Sequence, residues 1–352
     1  MPTPRVGKAA GTSLQGVPTH LGDPGSSASS GSGARGEEGA ETAETAETDV
    51  EATEATEAPV ESDAAPDSEA PEQADAPVDT EAAADGVINV PEDHDTIQAA
   101  VDAASPGDLI LIAPGVYNEA VNVVTDELTI RGLDRNEVIL DGQFELENGI
   151  RVLGAKGVAV ENMTAVNYAF NGFFWLEADG YRGSYLTAHR NGDYGVYAFD
   201  SVNGLLEHSY AAGSPDAGYY IGQCFPCDAL IDDVWAEHNG LGYSGTDSGG
   251  NLTIINSQFN NNRSGIVPNS GSYELCYPER ESTIIGNVVF GNNQPDTPAI
   301  GNALVAHGTG ITLPGGVRND IERNYVYDHE RVGIAVVPFP EENPNDDVPD
   351  RS

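Results

Sequence analysis

The sequence is poor in lysine and has no long apolar run. Lys8 and Lys156 are its only lysines, and 57 acidic residues against 15 lysine and arginine residues give a formal net charge of −42. Nucleic acids and anionic membrane surfaces are recognised by basic protein surfaces, so this balance argues against both as partners. No apolar stretch is long enough for a transmembrane helix, and no signal-peptide core follows Met1.

The first 85 residues have the composition of a disordered tail. Residues 1–35 are rich in glycine, serine and proline, and residues 36–85 contain 18 acidic residues but neither lysine nor arginine. Such a segment cannot bury enough apolar surface to fold. The sequence therefore predicts a disordered acidic tail over residues 1–85 and a folded domain over residues 86–352.

Glycine recurs at a nearly constant spacing through the folded part. Successive members are 23 or 24 residues apart, and after a longer gap one more 23-residue step follows: Gly149, Gly172, Gly195, Gly218, Gly242, Gly265, then Gly310 and Gly333. After each glycine an apolar position, a mixed position and a second apolar position follow, as in Gly310-Ile-Thr-Leu313, and the two apolar positions are predicted to face inward. A period in the twenties indicates a solenoid whose repeats bury their apolar faces against one another.

A second pattern follows in the same repeats, in the segments Asn162–Asn167, Asn256–Asn261, Asn287–Asn292 and Asn324–His329. The fourth position of each segment is small or aromatic, and asparagine or histidine occupies its ends. We expect the apolar positions to stack inside the solenoid and the amide side chains to hydrogen-bond from coil to coil.

Two or three short strands in about 23 residues, with no leucine-rich pattern and too few residues for a propeller blade, indicate a parallel β-helix. One helix is predicted near its start. Asp95 and Gln98 form a capping box with Asp95 as the N-cap, and Ile97, Ala100 and Val101 have helical spacing. This helix is expected to cover the open end of the solenoid.

These repeats resemble the right-handed β-helix proteins of the pectin-lyase-like superfamily over roughly Ile88 to Phe339. The segment Thr96–Glu119 resembles the first coils of pectin methylesterases and of NosD-type proteins, where it is scaffold. The resemblance implies an all-β, single-stranded right-handed parallel β-helix and a polysaccharide partner outside the cell. The catalytic motifs of polygalacturonases and pectin methylesterases are missing, and Tyr194–Asp200 resembles an alginate epimerase motif without its Pro-His.

Three aromatic residues fall in one outward column, namely Phe174, Tyr197 and Tyr220. Coils stack about 4.8 Å apart, so the rings are predicted to form an exposed ladder that receives the apolar faces of sugar rings. The alternative is a strip covered by a loop. Loops are expected where the period breaks, at Pro268–Arg280 and Asn293–His307, since solenoid insertions often lie on the binding face.

Acidic residues border this ladder on both sides. Glu177, Asp200 and Asp247 lie five residues after their repeat glycines, and Asp193 and Asp216 precede the strands. Carboxylates on adjacent coils can approach the separation of about 5 Å found in retaining glycosidases, where close acids raise one another's pKa. They are therefore catalytic candidates, with calcium binding and a plain solvated acidic edge as the alternatives.

The three cysteines are Cys224, Cys227 and Cys276. Cys224 and Cys227 have redox or metal spacing, but no helix follows them and zinc would need further ligands. A structural disulfide is the simplest interpretation, and the odd number leaves the pairing open.

The sequence thus predicts a protein, expected to be monomeric, that binds extracellular polysaccharide as a carbohydrate-binding or surface scaffold. Phe174, Tyr197 and Tyr220, with Asp193 and Asp216, are the predicted binding residues. The alternative is a polysaccharide lyase, epimerase or glycoside hydrolase that uses carboxylates on the same face, for which no recognised catalytic motif is present. We expect the solenoid to be open or truncated at its C-terminal end, because no cap is visible there.

Overall fold

A computed structural model describes residues 86–339 of the protein. The chain divides into two units, Met1–Ala74 and Asp75–Ser352, and all described residues belong to the second unit. The predicted disorder of residues 1–85 lies outside the described residues. The predicted boundary between tail and folded domain therefore stays a prediction, and so does the open C-terminal end.

The described chain winds repeatedly through three sheets. The first sheet contains the strands Val87–Val90, Leu109–Ile112, Thr129–Gly132, Ala159–Glu161, Arg182–Ser184, Gly204–Glu207, Ala229–Asp232, Gly249–Ile255, Arg280–Ile285 and Asp320–Glu322. The second contains Gly115–Tyr117, Val138–Asp141, Thr164–Val166, Thr187–His189, Tyr210–Ala212, Trp235–Glu237, Gln258–Asn260, Val288–Phe290 and Tyr325–Tyr327. The third contains Val121–Val123, Asn148–Leu153, Asn171–Leu176, Tyr194–Phe199, Ala217–Gly222, Leu241–Thr246, Ser264–Asn269, Thr309–Pro314 and Val332–Val337.

The strand register confirms the predicted parallel β-helix with one repeat per coil. Neighbouring strands pair in parallel, and Val152, Trp175 and Ala198 occupy equivalent positions on three successive coils of the third sheet. The repeat glycines have a steric cause. A Cβ atom added to Gly172 would lie 2.7 Å from the carbonyl oxygen of Gly195 on the next coil, closer than real Cβ atoms come to other heavy atoms.

The predicted inward columns form the core. Ile150, Phe173 and Trp175 are at most 1% exposed, and the equivalent positions of the following coils are buried as well. The columns lose their cover in the last described coil, where Ile334 is 48% exposed and Val336 is 68% exposed.

The predicted helix is present as α1 (Ile97–Ala103), and Ile97, Ala100 and Val101 are buried against the first coils. The predicted cap is wrong by one residue. The N-cap is Thr96, whose hydroxyl accepts the N–H of Ala99, while the Glu119 carboxylate of the adjoining coil accepts the N–H groups of Ile97 and Gln98. None of the helices in residues 86–339 has the length and apolarity needed to cross a membrane.

The predicted amide stacking occurs, but the second pattern was aligned one residue off in its later copies. Phe259 pairs with Val289, which is fully buried, rather than with Phe290. The stacked amides are accordingly Asn262 and Asn292, with Nδ2 of Asn262 donating to Oδ1 of Asn292 at 3.0 Å. The coil register puts Asn287 opposite Ser257, one position after Asn256.

Each coil turns at three corners, one between each pair of sheets, and residues in the left-handed region occur at all three. The corner between the first and second sheets uses one residue in the left-handed region, such as Asn162 (φ 57°) or His208 (φ 48°). The corner after the third sheet does the same at Glu177 (φ 54°) and Asp200 (φ 51°). Asparagine and aspartate tolerate this conformation better than bulky residues do, which explains their frequency at the corners.

Candidate functional site

The outward face of the third sheet changes from open to covered along the β-helix. Arg151, Phe174 and Tyr197 occupy equivalent outward positions on three successive coils and are partly exposed. Tyr220 holds the same position on the next coil but is only 4% exposed, and Ser244 beyond it is 2% exposed. The prediction that Tyr220 presents an exposed ring is therefore wrong.

Two long loops cover the buried part of this face, namely residues 270–279 and residues 291–308. Both interrupt the 23-residue period where the sequence predicted insertions. The first leaves the third-sheet strand Ser264–Asn269, and the second leads into the third-sheet strand Thr309–Pro314. Both loops therefore start or end at the edges of the third sheet.

The second loop folds back over earlier coils. Ala303 is fully buried against Ala217, Leu241 and Val267, which lie on three successive coils of the third sheet. The Ile300 N–H strengthens this contact by donating to the backbone carbonyl of residue 215 at 3.2 Å. The loop thus forms a wall at one end of the open part of the face.

The aromatic residues of the open part stack on one another. The ring centroid of Tyr197 lies 4.6 Å from that of Phe174 and 4.4 Å from that of Tyr194, at interplanar angles of 25° and 7°. Two rings stacked this closely cannot share one face, so both faces of Tyr197 are covered. Tyr220 contacts the cluster edge-on, with its ring centroid 4.8 Å from that of Tyr197.

This stacking changes what the predicted ladder can do. A ligand meets the edge and the hydroxyl group of Tyr197 rather than its face. Phe174 ends the stack, so its second face points toward the coil that carries Arg151. The open ring surface of the face is therefore at Phe174.

Asp193 and Asp216 lie side by side on adjacent coils at the start of the third-sheet strands, and the Asp216 N–H donates to the Asp193 carbonyl at 3.1 Å. Burial raises the pKa of Asp193 to about 6. Burial, reinforced by the charge of Asp193, raises the pKa of Asp216 to about 7, although a hydrogen bond from Tyr194 acts in the opposite direction. With a pKa of about 7, Asp216 is protonated in roughly half of the molecules at neutral pH, and the protonated form can act as a general acid or as a neutral hydrogen-bond donor.

The predicted carboxylate column exists at the corner after the third sheet. Glu177 and Asp200 are exposed there on adjacent coils, with the Glu177 N–H donating to the carbonyl of Phe199 at 3.1 Å. Asp247 is different, because it is fully buried and its carboxylate accepts the N–H of Cys276 in the first loop. The expectation that Asp247 forms part of an open acidic row is wrong, since its carboxylate fixes that loop.

A disulfide joins Cys224 to Cys227 at the corner after the third sheet, and Cys276 carries a free thiol in the first loop. Burial raises the pKa of that thiol. Within residues 86–339, the structure contains no group of three or more histidine, cysteine, aspartate or glutamate side chains arranged to hold a metal ion. Calcium binding by Glu177 and Asp200 accordingly has no third ligand of these types in the described part.

Sequence reasoning missed Tyr194 as a member of the site. It directly precedes the repeat glycine Gly195, whereas the predicted columns began with the residue after each repeat glycine. The equivalent residue on the preceding coil is Asn171, whose side-chain oxygen accepts the Tyr194 N–H at 3.3 Å. A tyrosine where a neighbouring repeat has asparagine was the available signal.

A match to a protein-family model supports the fold. The family model described as "Right handed beta helix region" matches residues 136–289. A search of curated protein sequences found no match. The pectate lyase Pel9A resembles the fold at 13% sequence identity, with a TM-score of 0.49, over 72% of this chain and 77% of that chain.

Two further solved structures are similar at the level of fold. The A-module of Azotobacter vinelandii mannuronan C-5 epimerase AlgE4 shares 15% identity over 65% of this chain and 71% of that chain, with a TM-score of 0.46. The pectin methylesterase PemA from Erwinia chrysanthemi shares 14% identity over 59% of this chain and 79% of that chain, with a TM-score of 0.44.

The parallel register of all three sheets, the coil repeat and the family match agree with one another. The described domain is a parallel β-helix, and residues 136–289 of it match the family model of right-handed β-helix regions.

Proposed function

We propose that the protein binds a linear extracellular polysaccharide on the open part of the third sheet, from Arg151 to Tyr197. The observation that carries this proposal is the outward aromatic stack of Phe174, Tyr197 and Tyr194 beside the carboxyl groups of Asp193 and Asp216. Aromatic surface beside a few placed polar groups is the usual composition of a sugar-binding face.

The charges of the face favour a neutral glycan. Glu177 and Asp200 are exposed acidic side chains at the border of the face, and acidic side chains in this position disfavour a polyuronate. The protonated fraction of Asp216, roughly half at pH 7 and larger at lower pH, offers a hydrogen-bond donor to a sugar hydroxyl. The Nε of Arg151 donates to Oδ1 of Asn122 at 2.9 Å, which orients this side chain along the adjoining coil.

The loop of residues 291–308 sets the limit of the binding face. Because Ala303 is buried on the third sheet, a polymer cannot continue along the outward face past Tyr220. We therefore propose that the bound chain ends or leaves the surface beside Asp216. Loop-shortened variants that leave coil packing intact should bind longer oligosaccharides more tightly than the wild type does.

A second function is favoured by one observation. Asp193 and Asp216 have raised pKa values of about 6 and about 7, and Tyr194 hydrogen-bonds to Asp216. An acid poised near neutral pH beside tyrosines suits a polysaccharide lyase, epimerase or hydrolase. In that case turnover should fall as pH rises above about 7, and Asp216→Asn should remove turnover while leaving binding largely intact.

Affinity electrophoresis through gels that contain single polysaccharides tests the binding proposal. Phe174→Ala should weaken retention about fivefold, because an aromatic stacking contact is worth about 1 kcal/mol. Tyr197→Phe removes one hydroxyl group but keeps the stack, so it separates hydrogen bonding from ring contact. Tyr325→Ala is the matched control, because Tyr325 is 65% exposed on the second sheet.

Each outcome has a defined meaning. Weaker retention of Phe174→Ala with unchanged retention of Tyr325→Ala supports the proposed face. Equal retention of Phe174→Ala and the wild type on a polysaccharide that the wild type binds refutes it. Assays of the wild type and of Asp216→Asn for reducing sugars and unsaturated uronates, on the same polysaccharides, decide whether Asp216 also supports turnover.

A further inference from the structure

A second cleft lies at the corner between the first and second sheets, away from the third sheet. Its volume is about 800 Å³, and its lining includes Arg135, Tyr185, His208, Asp233 and Trp235. None of these residues belongs to the face described above. We refer to it as the corner cleft.

The solenoid builds the corner cleft from two adjacent columns. Tyr185, His208 and Asp233 occupy the left-handed corner position of three successive coils, with φ values of 52°, 48° and 51°. Tyr210 and Trp235 occupy one outward position of the second sheet on adjacent coils. Each step along either column is one coil, so aromatic and polar side chains are held side by side at a fixed spacing.

Tyr185 is unusual at its position. The corner residues of neighbouring coils include Asn162, His208 and Asp233, and these residue types are the ones enriched in the left-handed region. A bulky tyrosine at φ 52° is strained there, and strain of this kind is concentrated at functional sites. Its ring is also 49% exposed, so burial does not explain its presence.

Trp235 is exposed but held in place. The residue is 44% exposed, and its Nε1 donates to Oδ1 of Asn260 at 2.8 Å. Tyr210 meets it edge to face at 5.9 Å and 87°, and the Tyr210 hydroxyl donates to Oε1 of Glu237 at 2.8 Å. A fixed aromatic ring loses little freedom when a ligand binds, which favours affinity.

Polar groups surround the two exposed aromatic residues, Tyr185 and Trp235. Nδ1 of His208 lies 2.8 Å from Oδ2 of Asp233, and the imidazole ring stacks on Tyr185 with centroids 4.8 Å apart. The Arg135 guanidinium reaches across the coils and donates to the His208 carbonyl at 3.0 Å. The Asp233 side chain is 67% exposed and so can accept hydrogen bonds from ligand hydroxyl groups.

We propose that the corner cleft binds one or two pyranose rings of a neutral glycan, with Trp235 and Tyr185 stacking on the sugar and His208 and Asp233 hydrogen-bonding its hydroxyl groups. Rigid exposed rings beside hydroxyl-binding side chains match the alternation of apolar and polar surface on a sugar. The acids Asp233 and Glu237 disfavour an anionic ligand. The site is separate from the third-sheet face, so either proposal can fail without the other.

The two tryptophans of the chain provide a direct readout. Trp175 is fully buried and Trp235 is 44% exposed, so a Trp175→Phe variant leaves Trp235 as the sole fluorescent tryptophan at the cleft. This variant is titrated with cellohexaose, laminarihexaose, mannohexaose, xylohexaose and chitohexaose. At least one of them is expected to shift the Trp235 emission and to reduce its quenching by acrylamide.

Variants then assign the signal to the cleft. Tyr185→Asn removes the ring but places at the corner a residue that tolerates the left-handed region, as Asn162 does on the preceding coil. It should stay folded and bind at least about tenfold more weakly. Tyr325→Ala, on the same outward column of the second sheet, and Phe174→Ala, on the third sheet, should both leave the affinity unchanged.

Three results would overturn the proposal. The first is an emission and quenching response that stays flat for all five oligosaccharides. The second is an unchanged affinity in Tyr185→Asn. The third is a loss of affinity in Phe174→Ala that matches or exceeds the loss in Tyr185→Asn, because the signal would then report binding at the third-sheet face.

Discussion

Replacing Trp175 with alanine tests the register of the whole solenoid. The residue is fully buried in the third sheet, between Val152 and Ala198 on the neighbouring coils. Its ring centroid is 5.7 Å from that of Tyr181. A Cβ atom added to Gly183 would come within 2.9 Å of the ring, so the glycine leaves room for the indole.

The expected loss of stability follows from burial and from the cavity left behind. Truncating a fully buried tryptophan to alanine costs about 3–5 kcal/mol of unfolding free energy. Ala198 on the next coil is too small to fill the space, which favours the upper part of that range. Trp175→Phe should cost less, because it fills most of the cavity and also removes a buried Nε1–H that has no hydrogen-bond partner.

Urea unfolding followed by far-ultraviolet circular dichroism measures these losses, with Trp235→Ala as the matched control. Trp235 is 44% exposed and makes one side-chain hydrogen bond, so its removal should cost roughly 1 kcal/mol. A Trp175→Ala variant that loses no more stability than Trp235→Ala would show that residue 175 does not face the core, and the coil register would then be wrong.

Three further predictions concern the loop, the acids and the disulfide. Gly240→Ala should cost about 1–3 kcal/mol of unfolding free energy, because the added Cβ would lie 2.1 Å from a backbone oxygen and 2.8 Å from Cβ of Ala303. The same variant should be cleaved faster by proteases within residues 291–308, and unchanged cleavage would contradict this packing. The pKa of Asp216 is raised from 3.8 to about 7, so the stability of the wild type should fall as pH rises through that window. Asp216→Asn should therefore gain thermal stability relative to the wild type between about pH 4 and 7. A difference in Tm between the variant and the wild type that stays constant with pH would argue against the raised pKa. The Cys224–Cys227 disulfide closes a very short loop, so its reduction should lower the unfolding free energy measured in a urea titration by about 2 kcal/mol. A loss near zero would show that this bond does not constrain the unfolded chain.

The sequence was sufficient to predict the structural features that depend on contacts between a repeat and its direct neighbour. The 23-residue spacing of glycines such as Gly172 and Gly195 predicted the coil register, because each glycine packs on the backbone of the next one. The inward position of Trp175 and the helix that covers the first coils followed from the same periodicities. These features depend on residues one coil apart, which the repeat itself reveals.

The errors arose where distant segments meet. Tyr220 is buried because loops that follow much later in the chain cover its part of the face. Thr96 caps the helix instead of Asp95, and the Glu119 carboxylate of the adjoining coil accepts the N–H groups of the first turn. The corner cleft was missed because it joins corner residues to outward residues of another sheet, and the position of each bend cannot be read from the repeat.

Hydroxyl-radical footprinting with a bound neutral polysaccharide tests the central claim most directly. The proposal predicts that Phe174, Tyr194 and Tyr197 become protected when the polysaccharide is added, while the exposed Tyr325 keeps its reactivity. A polysaccharide that binds the protein yet leaves Phe174, Tyr194 and Tyr197 as reactive as in the free protein would contradict the assignment of the third-sheet face.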